Sequence, residues 1–299
     1  MKPPYDVVTF GEVLWDLFDD GQDIYRRFVG GGSSNVAVAL ARQGCRVGVV
    51  AGVGRDRFGD ELIRRLEEFG VDTQFVVRLA ERTALTFIAR TGNGEPHFMN
   101  YRQASANLAI AARHITSAMA RARWVHLGTC SLIANGGGLV EATRAFEAHA
   151  ARHRAYKSID LNARPNLWAS QEAALDELER LLPGCALIKA SLGDLVAFGI
   201  GVGDLKDIAP EAVALVTRGA EGATAYFGAS GRVSIAPTPS TCVDATGAGD
   251  AFIAGVLAQL VESEVGPGSA RWNDANLWTE ALSRGHSLGA IAVSKLGGT

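Results

Sequence analysis

Six short β-rich runs recur along the chain: 6-DVVTF, 46-RVGVVAGVG, 124-WVHLGT, 156-YKSIDLN, 186-ALIKAS and 213-VALVTRG. Helix-like patterns at about 33–43, 57–69, 139–153 and 170–182 lie between them. This alternation constrains the fold more than any other feature. Strands separated by helices point to a mostly parallel sheet covered by helices on both faces, that is, an α/β architecture. Ligands of such sheets sit beyond the carboxyl ends of the strands. With 299 residues, 47% of them apolar and 20% charged, the chain can bury the core of one large soluble domain.

Residues 12–30 and 72–104 break the alternation. Each holds short strand-like pieces joined by turn signals, Asp20-Gly21 in the first and 91-TGNGE in the second. The two stretches either pair into a small extra sheet, a lid over the strand ends, or form two ordinary surface hairpins. With no repeat, low-complexity tract or Pro-rich linker, residues 1–299 read as a single domain.

A net charge of −3 gives no general attraction to nucleic acid or an anionic membrane, and no apolar run approaches the roughly 20 residues of a membrane span. Neither partner is expected, and the expected location is the cytoplasm. Cys45, Cys130, Cys185 and Cys242 are too scattered for a zinc site or disulfide framework and read as buried small apolar residues.

The stretch 244-DATGAGDAF carries the chemistry. The apolar run 251-AFIAGVLAQLV behind it suggests a buried helix whose N-terminus lies at Gly247 to Asp250. Free amides and the helix dipole there form an anion site, and the same field should keep Asp250 ionised. The loop fits phosphoryl transfer: the amides neutralise the moving phosphoryl group while Asp250 takes the proton of the attacking hydroxyl. On its own the motif serves equally as a glycine turn with an aspartate helix cap. No Gly-Lys-Ser/Thr occurs, so a P-loop is excluded; neither 30-GGGSSNVA nor 52-GVGRDRFG completes GxGxxG, which disfavours a dinucleotide oxidoreductase.

The regions 30-GGGSSNVAVALARQG, 52-GVGRDRFG and 244-DATGAGDAFIAG, in this order, resemble the ribokinase-like sugar kinases, or PfkB kinases, over nearly the whole chain. The resemblance implies a three-layer α/β sandwich with a mostly parallel central sheet and a small β-sheet lid. It implies ATP and Mg²⁺ as cofactors, with room for a monovalent cation such as K⁺ beside Asp244. Asp250 would be the base, and Gly247, Ala248 and Gly249 the anion hole. Asp16, Gly31, Gly32 and Asn35 would bind the sugar. Thr217, Gly219 and Gly222 would lie on the ATP side with Lys189 and Ser191, and Asp194 would hold magnesium through water. The segment 285-GHSLGAIAVSKLGG resembles the adenine-side helix, where His286 is either an adenine contact or a packed helix residue. A homodimer through the lid fits its open sheet edges.

The fragments 11-GEVLWDLF, 101-YRQASANL and 160-DLNARPNLW resemble the fructokinase branch, and 2-keto-3-deoxygluconate kinases share much of the last two. They place Arg102, Asn162 and Arg164 beside the sugar. Fructose is the first expected substrate, 2-keto-3-deoxygluconate the second, and ribose or a nucleoside follows. The alternative outside enzymes is a non-catalytic sugar-binding regulator. Three positions depart from the pattern: Ala245 replaces a threonine, Asn107 an aspartate, and His286 an asparagine.

Overall fold

The computed structural model describes residues 2–19, 24–90, 96–129, 138–164 and 168–299. In chain order the first half holds β1 (Tyr5–Phe10), β2 (Leu14–Asp19), β3 (Tyr25–Gly30), α1 (Gly32–Arg42), β4 (Val47–Gly54), α2 (Arg57–Glu68), β5 (Val76–Leu79), β6 (Leu85–Arg90), β7 (Pro96–Tyr101), α3 (Ala106–Ala109) and β8 (Ala122–Gly128). The second half holds α4 (Leu139–Arg152), β9 (Tyr156–Asp160), α5 (Gln171–Leu181), β10 (Cys185–Ser191), α6 (Leu192–Phe198), α7 (Val202–Ile208), β11 (Val213–Thr217), β12 (Ala223–Phe227), β13 (Gly231–Ile235), α8 (Ala248–Glu262) and α9 (Ala275–Val293).

The six β-rich runs all enter one nine-stranded sheet of order β13-β12-β11-β10-β9-β8-β1-β4-β5. Strands β5 to β11 in that order are parallel, and β12 and β13 add an antiparallel edge. Alternation along each strand sends side chains to opposite layers. Val7 of β1 and Val213 and Leu215 of β11 pack with α1, α2, α8 and α9. Val8 and Phe10, with Ala214 and Val216, pack against α4, α5, α6 and α7. Both faces are therefore covered, as the near-continuous hydrophobic strands require.

Helix α8 is buried along nearly its whole length and packs on α1 and α9. Its crossing with α9 depends on two glycines: a Cβ on Gly255 would stand 2.7 Å from the Arg284 carbonyl oxygen, and one on Gly285 2.9 Å from Phe252.

The two excursions supply a second, four-stranded sheet of order β3-β2-β6-β7. Two antiparallel hairpins, β2–β3 and β6–β7, join through a parallel β2–β6 pairing. Both turn signals that announced these hairpins lie outside the described residues. Within residues 72–104, β5 belongs instead to the large sheet, beside β4.

Cys185 is buried and Cys45 partly so, but Cys242 is exposed, against the expectation of a buried apolar residue: it lies in the irregular segment between β13 and α8, outside the packed strands and helices. Cys130 lies outside the described residues.

Candidate active site

The carboxyl ends of the parallel strands face the small sheet across a cavity of about 750 Å³. Asp16 reaches it from β2, Asp160 from the end of β9, and Lys189 and Ser191 from the end of β10. Thr217 ends β11, and Gly219 lies just beyond it. Gly31, Gly32 and Asn35 come from the start of α1, while Gly247, Gly249 and Asp250 come from the start of α8.

Gly247 caps α8 with φ 76°, a left-handed conformation that a side chain would strain. The Ala248 amide donates to the Ala245 carbonyl at 3.2 Å, whereas the amides of Gly247 and Gly249 have no acceptor among the described residues. Asp250 follows in the first turn, where Asn35 Nδ2 donates to its Oδ2 at 2.8 Å. Gly32 holds the opposite wall open: a Cβ there would meet Asp250 Oδ1 at 3.4 Å and Asn162 Nδ2 at 3.9 Å.

Asp250 is not held ionised by the helix field, as the sequence suggested. Burial, followed by the nearby charge of Asp160, pushes its carboxyl up to about 7. Desolvation, with the Asp160 charge beside it, outweighs the favourable field of the helix N-terminus. Asp16 is likewise raised to about 7, first by burial and then by Glu12, with Arg102 opposing.

Lys189 Nζ donates to both Asp160 oxygens at 3.0 Å, and both residues are buried. Burial works against the ammonium, but Asp160 and Asp194 outweigh it and raise its pKa. Asp194 accepts from the amides of Ala163 and Ser191 at 2.7 Å each, while Ser191 Oγ accepts from its amide at 3.0 Å. This capping box pins the start of α6 to the segment after β9.

A second cavity, of about 520 Å³, shares Thr217, Gly219, Ala245 and Gly249 with the first. Gly222 and Ala248 lie along it, and Gly222 also lets β13 approach, since a Cβ would stand 2.1 Å from the Ile235 carbonyl oxygen. His286 lines it from α9. Burial lowers the pKa of that imidazole, its ring meets Phe252 at 5.2 Å, and its buried Nε2 has no hydrogen-bond partner among the described residues. Two cavities thus meet at the N-terminus of one buried helix, one rich in carboxylates and one mostly apolar.

Residues 6–299 match the model of the pfkB family of carbohydrate kinases. This chain belongs to that family. It is 32% identical over 307 residues to fructokinase-1 of Oryza sativa subsp. japonica, covering 97% of this chain and 92% of that one. It is 32% identical over 260 residues to the fructokinase of Klebsiella pneumoniae, covering 84% and 83%. The crystal structure of a Xylella fastidiosa fructokinase with bound ATP superposes with a TM-score of 0.88 at 27% identity, covering 98% and 94%. The fold is therefore ribokinase-like, and the protein is a sugar kinase.

In this pfkB kinase, every residue given a catalytic, sugar-side, nucleotide-side or magnesium role from the sequence lines one or both cavities, whereas Asp244 and Asn107 line neither. Arg102 is ion-paired with Glu12, and Arg164 Nη1 donates to the Ala163 carbonyl at 3.0 Å. Asn107 is buried and accepts from Ser105 Oγ away from both cavities. Residues 165–167 of the DLNARPNLW segment lie outside the described residues.

Sequence reasoning assigned no role to Glu12, Asp160, or the β7 residues His97, Phe98 and Asn100, all of which line the larger cavity. Asp160 closes a strand already identified as part of the parallel sheet. The rule placing ligands beyond strand ends could have found it. For the β7 residues no such signal exists, because their role depends on a sheet pairing across distant turns.

Proposed function

We propose that this chain is an ATP-dependent fructokinase. The observation that carries the reading is Asp250: a carboxyl raised to about 7 in the larger cavity, next in chain to Gly249, which both cavities share, and beside unengaged amides of a helix N-terminus. ATP occupies the apolar cavity, with its adenine near His286 and its phosphates along Thr217, Gly219 and the loop 247–249. Sugar occupies the carboxylate-rich cavity against Asp16, Asn35, Asn162 and Arg164. Its primary hydroxyl attacks the γ-phosphorus, the bond to the bridging oxygen breaks, and the proton passes to Asp250. The amides of Gly247 and Gly249 take up charge on the transferred group.

Asp194 would hold Mg²⁺ through water, and the ion would supply further neutralisation of phosphate charge. No three His, Cys, Asp or Glu residues converge as a cage among the described residues, so the donor set suits a hydrated ion carried by phosphate, with Asp194 facing it through water. The small sheet acts as a lid that excludes water once sugar is bound.

Fructose is favoured over an acidic sugar by charge. Glu12, Asp16, Asp160, Asp194 and Asp250 face the larger cavity against Arg102, Arg164 and Lys189. Two of those cations are already paired, to Glu12 and Asp160. A sugar carboxylate would be repelled where a neutral polyol is not. ADP release over a sugar panel should give the highest kcat/KM for fructose. A preference for 2-keto-3-deoxygluconate overturns the substrate, and sugar binding with no ADP from any sugar overturns the reaction.

The pH dependence follows from Asp250, which must be deprotonated to act. Below about 7 kcat/KM should fall towards tenfold per pH unit, and it should level off above. A flat profile between pH 5.5 and 8.5 removes the base from Asp250. Asp16→Ala should raise the sugar KM roughly 10- to 100-fold, the worth of one charged hydrogen bond, and leave the ATP KM unchanged. A selective loss of ATP binding reverses the placement of the two substrates.

A further inference from the structure

At the amino ends of the parallel strands, opposite the larger cavity, the segments that lead into β1, β4, β8 and β9 surround a cavity of about 550 Å³. Lys2, Arg46, Arg121, Arg123 and Arg154 line it, against only two carboxylates, Asp6 and Glu264. Asp6 is held by Arg46 through a two-bond fork at 2.6 and 3.2 Å. Glu264 pairs with Lys2 at 2.5 Å. Arg123 reaches the Val261 carbonyl at 3.4 Å, at the carboxyl end of α8. The guanidinium groups of Arg121 and Arg154 have no hydrogen-bond or ion-pair partner among the described residues.

The backbone sets this place apart independently. Helices α1 and α2 end on left-handed glycines, Gly44 and Gly70. At the same position after α4 and α8 stand Arg154 at φ 56° and Glu264 at φ 51°, and both line the cavity. A side chain in that conformation costs roughly 1–2 kcal/mol. The strain sits where two charged side chains are brought to one cavity, the pattern found at binding sites.

We propose that this cavity binds the phosphate group of a small anion through Arg121, Arg123 and Arg154. A phosphate dianion matches the excess positive charge, and forked guanidinium donors match its oxygens. The volume is that of a small-molecule site and leaves space beside Tyr156 for an organic body. The cavity is separated from Asp250 by about 16 Å along α8, so a ligand there does not compete with sugar. The proposal is independent of the substrate reading.

Calorimetric titration of the full chain with inorganic phosphate and with a hexose 6-phosphate tests it, comparing the natural sequence with Arg121→Ala/Arg154→Gly. We expect binding that weakens with added salt and falls at least tenfold in the double variant. The melting temperature should hold or rise, because glycine relieves the left-handed turn. Equal affinity for the two probes identifies free phosphate as the ligand, and tighter binding of the ester identifies a phosphate ester. Unchanged binding in the double variant, or no binding at all, overturns the site. A lowered melting temperature with unaltered binding also does so, and assigns the cations to neutralising helix ends.

Discussion

Turnover of the Asp250→Asn variant should fall roughly 10²- to 10⁴-fold, the usual contribution of a general base, with substrate affinities little changed. The fold should survive, because Asn is isosteric and its carbonyl can still accept from Asn35 Nδ2. Stability gives a second readout of opposite sign. The Asp250 carboxyl is raised from 3.8 to about 7 on folding, so between those values the folded chain binds the extra proton. Stability is present below that window and is lost as pH rises through it. The amide removes this loss, and the variant should be the more stable protein at pH 8 by a few kcal/mol, and equal to the natural sequence below about pH 4. Urea titrations at the two pH values measure the difference. A variant that loses stability at pH 8, or keeps full turnover, removes the assignment.

Lys189→Met should produce the largest loss of stability. Among the described residues the ammonium is the only cation bonded to Asp160, and both groups are buried. Removing one member of a buried pair leaves an uncompensated charge and costs about 3–5 kcal/mol, here with Asp194 and Asp250 close by to repel it. The double variant Lys189→Met/Asp160→Asn should recover most of that loss, since the stranded charge is gone. A double variant as unstable as the single one would show that packing, not charge, is what Lys189 supplies.

The central sheet was legible because 6-DVVTF and 213-VALVTRG are near-continuous apolar runs in alternation with helix-like segments, and a strand that feeds two core layers must be apolar on both faces. The turn into α8 was legible because Gly247 has to be glycine where the chain turns left-handed into a buried helix. The protonation of Asp250 was not, because it depends on how much water the folded chain removes and on Asp160, ninety residues away. The pairing of Arg102 with Glu12 escaped for the same reason: sequence offers residue types, and only packing decides which charge meets which. Arg102 therefore looked like a free donor to substrate. Its partner leaves the cavity short of unpaired positive charge and shifts the reading towards a neutral sugar.

The contact of Gly255 with Gly285 makes α8 and α9 a fixed caliper. One jaw carries Asp250 and the other His286, so the spacing between that carboxyl and the apolar cavity is set by backbones in touch rather than by adjustable side chains. Anyone moving α9 to reshape the apolar cavity would shift Asp250 as well. Gains in selectivity and losses in turnover would then be inherited together, and a library scored only on binding would not reveal it.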